Sequence, residues 1–233
     1  MQIIIDGDVV LYMAVHSAEE DTLESSVERF VGILKDVEEL HFASPENMEI
    51  FLSDKTNFRK REYPSYKANR KNIVPPTHLA GLRSWVFANM GRVQDSPNGE
   101  ADDYMLIRAS ELDEARVPYV IATIDKDLKT HPGRFYNLRR RDWEEVSEDA
   151  AHLFMIQQFV QGDAGDGIAG LRGYGPKKTQ KIINSYHNLE QNHGKSKEIW
   201  KEQYGKGWET PYNLTCNTAF IRRRAKDLQP LDF

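Results

Sequence analysis

Three short runs of apolar and β-branched residues, at 2–5, 49–52 and 118–124, each lead into an aspartate: Asp6, Asp54 and Asp125. Runs this short and this apolar read as strands buried in a core. Between the first two, residues 25–40 place Val27, Phe30, Val31, Leu34 and Val37 at the spacing of one helix face. Ser25, with Glu28 three residues on, offers a capping box to open that helix. Strands alternating with helices predict an α/β fold with a mostly parallel central sheet and helices on both faces. Ligands of such sheets sit at the carboxyl ends of the strands. Asp6, Asp54 and Asp125 all fall on that edge.

Past residue 148 the strand signal fades. Residues 150–160 read as a helix, a Gly-Asp loop follows at 162–167, and Pro176 stands where a further helix begins. The expected division is an α/β core over 1–147 and a helical region over 148–233. With 233 residues, 39% hydrophobic and 29% charged, the chain has the length and balance of a soluble globular protein. No apolar run nears the roughly 20 residues that cross a bilayer. The N-terminus starts directly in a strand, so no leader is expected to be removed. A lone cysteine, Cys216, excludes an internal disulfide and a cysteine metal cluster, and fits a reducing cytoplasm.

The net charge of −5 argues against a nucleic-acid partner until its distribution is considered. Lys55, Arg59, Lys60, Arg61, Lys67, Arg70 and Lys71 stand between residues 55 and 71 against one acid, Glu62. Further basic triplets follow at Arg139-Arg140-Arg141 and Arg222-Arg223-Arg224. The acids are equally concentrated. Asp6, Asp54, Glu100, Asp102, Asp103, Asp125, Asp127, Asp163 and Asp166 all fall at strand ends, helix starts or loops. Singly, each reads as a cap or a turn residue. Gathered on one sheet edge, they would repel one another unless cations neutralised them. Oxygen-only ligands suit magnesium or manganese, and two such ions could activate water against a phosphodiester.

Five separated motifs then occur in a familiar order: Asp6-Gly7; Asp54 ahead of Phe58-Arg59 and Tyr66-Lys67-x-x-Arg70; Glu100-Ala101-Asp102-Asp103; Thr123-x-Asp125-Lys126-Asp127; and Gly162-Asp163-x-x-Asp166. Over residues 1 to about 187 the chain resembles the 5′-nuclease superfamily of flap endonucleases, bacteriophage 5′-exonucleases and the 5′-exonuclease domain of bacterial DNA polymerase I. The resemblance implies a metal-dependent hydrolase of replication or repair that cuts DNA near 5′ ends, flaps or branches. It implies that Asp6, Asp54, Glu100 and Asp102 hold a first Mg2+. Asp125, Asp127, Asp163 and Asp166 would hold a second, with Asp103 close by, and Mn2+ could substitute. Lys67 and Arg70 match a basic pair in a helical arch, expected over about 55–90. Tyr66 matches a position where a ring stacks on a base, and Arg59 and Lys71 add DNA contacts.

Gly173-Tyr174-Gly175-Pro176-Lys177-Lys178 combines close backbone approach with a helix N-terminus suited to phosphate. It resembles the family's helix–hairpin–helix grip on duplex DNA, expected over about 150–187, where Gly173, Gly175, Lys177 and Lys178 would act beside a bound K+. In the family's last motif Asn and a later Pro usually follow the final aspartate; here Gly167 and Ala169 stand there. The tail at 228–233 follows a basic stretch expected to be helical (219–226) and loosely resembles peptides that dock on sliding clamps. RNA–DNA hybrids are compatible substrates, and a monomer is expected. Two other readings remain: a branched-DNA-binding relative without activity, and an RNA-directed nuclease of related small α/β fold. The complete ligand set favours the enzyme, and the small size favours a stand-alone phage or phage-like one.

Overall fold

A computed structural model describes residues 1–16, 22–41, 44–183 and 188–233. The carboxyl edge of one six-stranded sheet organises it. In chain order the first strands and helices are β1 (Gln2–Asp6), α1 (Gly7–Val15), α2 (Leu23–His41) and β2 (Met48–Ser53). Then come α3 (Phe58–Glu62), α4 (Leu79–Asn89), β3 (Val93–Ser96), α5 (Ala101–Glu114) and β4 (Tyr119–Thr123). The sheet closes with β5 (Gly133–Asn137) and β6 (Asp142–Val146). Its order is β3-β2-β1-β4-β5-β6, parallel except for β5–β6. Chain direction across the sheet therefore reverses between β1 and β4, the kind of switch point at which such sheets open a crevice. Asp6 ends β1 there, and Asp125 lies two residues past the end of β4.

Both faces are covered. Ile3, Ile5, Ile50, Leu52, Val120 and Ala122 meet α1, α2 and α4 on one side. Ile4, Phe51 and Ile121 meet Met105, Leu106 and Ala109 of α5 on the other. Gly7 is required where α1 passes β2, because a Cβ there would lie 2.6 Å from the Phe51 carbonyl oxygen. Helix α2 starts two residues earlier than the Ser25–Glu28 spacing predicts. Thr22 and Ser25 satisfy each other's backbone N–H groups instead, at 3.2 and 3.1 Å.

The rest is a helical layer: α6 (Glu148–Gln161), a two-residue hairpin of β7 (Gly162–Asp163) and β8 (Ile168–Ala169), α7 (Pro176–Ile183), α8 (Leu189–Tyr204) and α9 (Glu209–Ala219). Phe159, Ile183, Trp200 and Tyr212 form its separate core. Two expectations change. Residues 55–78 form no helical arch: they hold only α3 and one 3-10 turn at Ala68–Arg70, while α4 belongs to the main core through fully buried Leu82 and Val86. The helix expected at 219–226 ends at Ala219, and Arg222 turns inward, fully buried, to bond the Asp227 and Phe220 carbonyls. The tail at 228–233, which loosely resembles clamp-docking peptides, lies on its own layer. Leu231 and Phe233 donate to Asn217 and Asn213, and the Phe233 ring meets Phe159 and Phe220 edge-on. The α6–α7 connection also includes the β7–β8 hairpin, and residues 184–187 of the expected helix–hairpin–helix lie outside the described residues.

Candidate active site

Each acid reaches the site through local structure. Asp6 caps α1 by accepting the Val9 N–H at 3.0 Å, and its other oxygen accepts the Thr123 hydroxyl at 2.7 Å. Glu100 opens α5 in a capping box closed by Asp103, whose carboxylate accepts the Glu100 N–H at 3.1 Å. Asp125 accepts the Asp127 N–H at 2.8 Å, and Asp127 accepts from the side chain of buried Gln158 at 2.8 Å. Asp163, at the end of β7, accepts the Gly165 N–H at 2.7 Å.

Two adjoining groups result. Asp6, Asp8, Glu100, Asp102 and Asp125 line an open cleft of about 640 Å3. Glu100 and Asp102 also face a small cavity shared with Asp127, Asp163 and Asp166. Burial, with the nearby charge of Asp8 and Asp125, pushes Asp6 up to about 7. Burial and Asp125 push Asp127 up to about 6. Asp102 lies well above the usual carboxylate range, through burial and then Asp125, Asp6 and Glu100, and it has no hydrogen bond or ion pair among the described residues. A desolvated carboxylate with no protein partner, surrounded by acids, is a donor set that fits a divalent cation. The acids stand slightly apart: among the described residues no three carboxylates yet converge tightly enough to enclose an ion.

Cations from residues 63–71 fit between these groups. The Lys67 ammonium lies 2.6 Å from Glu100 and 3.6 Å from Asp166, and Arg70 pairs with Asp166. Burial alone would lower Lys67, but Glu100 beside it holds the ammonium far above the ordinary lysine range. Conversely, Lys67 and Arg59 outweigh burial at Glu100 and hold it down at about 2. The segment is also docked by its backbone, since the Lys67 N–H donates to the Asp166 carbonyl at 2.8 Å. Gly167, at φ +69°, lets the Ser65 carbonyl approach; a Cβ would sit 2.9 Å from it. That accounts for glycine where the family usually has asparagine.

Several expected site residues lie elsewhere. Arg59 is buried, with both terminal nitrogens on Asp103 at 2.6 and 2.7 Å, so it braces the site instead of reaching DNA. Asp103 has no free oxygen for a metal, because its carboxylate also accepts the Arg222 N–H at 2.9 Å. Tyr66 is 6% exposed and its hydroxyl donates to Glu100 at 2.6 Å, leaving no face for a base. Asp54 turns away into its own loop, accepting from the Lys55 N–H and the Thr56 hydroxyl. Lys71 lines the cleft. Lys177 and Lys178 are exposed in the first turn of α7, Gly173 has φ +79°, and Gly175 has open space above its Cα. Asp8, Arg83, Lys126 and Gln158 were absent from the expected set. Only Asp8 carried a signal, as an acid two residues after Asp6.

Fold and site together define a doubly wound α/β protein whose carboxylate-lined cleft is bridged by cations. A family model described as the 5′-3′ exonuclease, N-terminal resolvase-like domain matches residues 1–142, and the chain belongs to that family. The flap endonuclease Xni of Shewanella putrefaciens is 25% identical over 206 residues, covering 80% of this chain and 75% of that protein. DNA polymerase I of Borreliella burgdorferi is 26% identical over 190 residues, 73% of this chain but 20% of the polymerase. The T5 5′-exonuclease structure with bound zinc superposes with a TM-score of 0.69 at 17% identity, covering 97% of this chain and 95% of that one. The catalytic core of Rad2 in complex with DNA superposes at 0.54 and 16% identity, covering 94% and 72%. At such identities the two structures speak to the fold.

Proposed function

We propose that this protein is a structure-specific 5′-nuclease that hydrolyses DNA phosphodiesters near 5′ ends, flaps or branched junctions, using two divalent ions. The observation that carries this reading is the pair of adjoining carboxylate groups at the β1/β4 switch point, with Lys67 and Arg70 set between them. Asp6, Glu100, Asp102 and Asp125 would hold one ion; Asp127, Asp163 and Asp166, again with Asp125, would hold the other. Such ions, when bound, would supply a hydroxide near neutral pH and neutralise the leaving oxygen. Mg2+ fits these oxygen donors best and Mn2+ is the natural substitute.

The protein's own contribution is positioning and fixed charge. Arg59 and Asp103 fix the first turn of α5, and with it Glu100 and Asp102. Lys67 remains a cation through the physiological range and lies where a phosphate oxygen would enter between the two groups. Lys60, Arg70 and Lys71 line the same cleft and would guide the strand. Lys177 and Lys178, with Gly173 and Gly175, would grip duplex backbone away from the cut, with K+ as a further ligand of that turn. RNA–DNA hybrids remain candidate substrates, and we take the unit to be a monomer. Docking on a clamp through residues 228–233 would require peeling that tail from Asn213, Asn217 and Phe159.

Cleavage of a 5′-flap duplex labelled at its 3′ end, with magnesium and then with EDTA, tests the reading. Magnesium-dependent cutting near the junction is expected. Tight flap binding without cutting in magnesium or manganese would turn the reading to a binding module.

A further inference from the structure

Gln158 stands in the buried part of α6, among Met155, Ile156, Phe159 and Val160, and is itself only 4% exposed. Its Nε2 donates to Asp127 Oδ1 at 2.8 Å. An ionised carboxylate only accepts, which fixes the amide nitrogen on Asp127 and turns the amide oxygen elsewhere. That oxygen, Oε1, is buried and has no hydrogen-bond partner among the described residues. A buried carbonyl oxygen left unmet is costly and rare, so its donor is expected from outside the chain. Gln158 lines the small cavity, of about 30 Å3, that Glu100, Asp102, Asp127, Asp163 and Asp166 also face. At roughly 10–15 Å3 for each water, the space admits a water or two. The hydroxyls on that cavity are already committed: Tyr66 donates to Glu100, and Thr218 to backbone carbonyls of its own helix. Arg59 gives both terminal nitrogens to Asp103, and its Nε, a further unmet donor, does not reach Oε1.

We propose that Gln158 is a positioning residue of the second divalent site: its amide N–H holds Asp127, and its amide oxygen accepts a hydrogen bond from a water that the ion carries. The proposal rests on the two-metal reading above. Mg2+ gives up its water shell reluctantly and usually keeps several waters when bound to carboxylates. A water polarised by such an ion is the strong donor that the cavity otherwise lacks. An amide suits this place because it bonds a carboxylate at one end and a water at the other without adding a further negative charge. Helix α6 also leads directly into β7 and Asp163, so the element that braces Asp127 delivers another ligand of the same ion.

Titration of the full-length protein with Mn2+ alone, without DNA, tests this by calorimetry and by melting with and without the ion. Gln158→Met keeps the volume and removes both hydrogen bonds. It is expected to weaken one of two Mn2+ sites by roughly tenfold or more. Its metal-free melting temperature should stay close to the parent's, because the bond lost from Asp127 is offset by removal of an unmet oxygen. A glutamine that only supports the fold, or only holds a structural water, would give the reverse. A lower metal-free melting temperature with unchanged Mn2+ affinity would therefore overturn the assignment. Should Gln158→Met fail to fold, Gln158→Glu decides, since it keeps the shape and places a carboxylate beside the ion. Its Mn2+-induced rise in melting temperature should exceed the parent's, and a rise equal to the parent's would overturn the assignment. A parent protein with no saturable Mn2+ binding would overturn the two-metal reading itself, and this proposal with it.

Discussion

Asp102 and Asp103 are neighbours in the chain with opposite roles. Asp102 faces other acids with no partner of its own, whereas Asp103 is closed off by Arg59 and the Arg222 N–H. Successive helix residues point about 100° apart, so one faces the cleft and the other the core. Asp125 is one acid whose charge reaches both groups, being a neighbour of Asp6 and Asp102 as well as Asp127. Asp125→Asn should therefore slow flap cleavage by about a thousandfold or more, roughly 4 kcal/mol, while leaving flap affinity nearly intact in a gel-shift assay. Arg59 makes the contrary case. Arg59→Ala strands a fully buried Asp103, and urea unfolding should show a loss of about 3–5 kcal/mol. Had Arg59 been a DNA contact, the loss would have appeared in affinity instead. Strand-end acids were legible from spacing alone; which of them face a cation was not, because burial and competing donors such as Arg222 come from distant parts of the chain.

At the scale of elements, the sheet was legible wherever a strand is buried on both faces. β1, β2 and β4 are each built on a buried apolar run (3–5, 50–52 and 119–122), and each was predicted to within two residues. β3 (Val-Gln-Asp-Ser) and β6 (Asp-Trp-Glu-Glu-Val) are edge strands with one side in water, so their sequences carry little periodicity. The segment at 63–71 misled for a different reason. Its Lys67–Arg70 spacing suits a helix face, but ion pairs to Glu100 and Asp166 and the Lys67 N–H bond to Asp166 hold it as an irregular strap with Lys67 at φ +53°. Lys177 and Lys178, in the first turn of α7, line neither of the two carboxylate cavities. Lys177→Ala combined with Lys178→Ala should leave the rate of bound substrate unchanged and reduce the slope of log affinity against log salt by roughly 1–2, as expected for two lost phosphate contacts. Fluorescence anisotropy with a labelled duplex flap, across a salt series, reads this directly.

At the scale of the whole molecule, the net charge of −5 stops being an objection once the placement of the acids is known. A protein that concentrates carboxylates at one point carries a cost when no divalent ion is present, and the cost depends on pH. Asp6 and Asp127 are raised in the folded state to about 7 and about 6, from an ordinary value of 3.8. Their contribution to stability is fully present below about pH 3.8 and is lost as pH rises through 6 and 7. His131 works the other way: burial and Arg223 lower it to about 4, so its contribution is present above about 6.5 and is lost as pH falls through 4. Between pH 5.5 and 8 the carboxylates should dominate, since Asp6 and Asp127 both lose contribution across that range, whereas His131 gains only the part of its contribution that lies between pH 5.5 and about 6.5. In EDTA the melting temperature should therefore fall from pH 5.5 to pH 8. With millimolar magnesium the fall should flatten, because an ion that binds only the folded state stabilises it most where the acids are ionised. A magnesium-induced shift larger at pH 8 than at pH 5.5, in a melting series run with and without EDTA, is the expected result. A shift equal at both pH values would mean that magnesium binds away from Asp6 and Asp127.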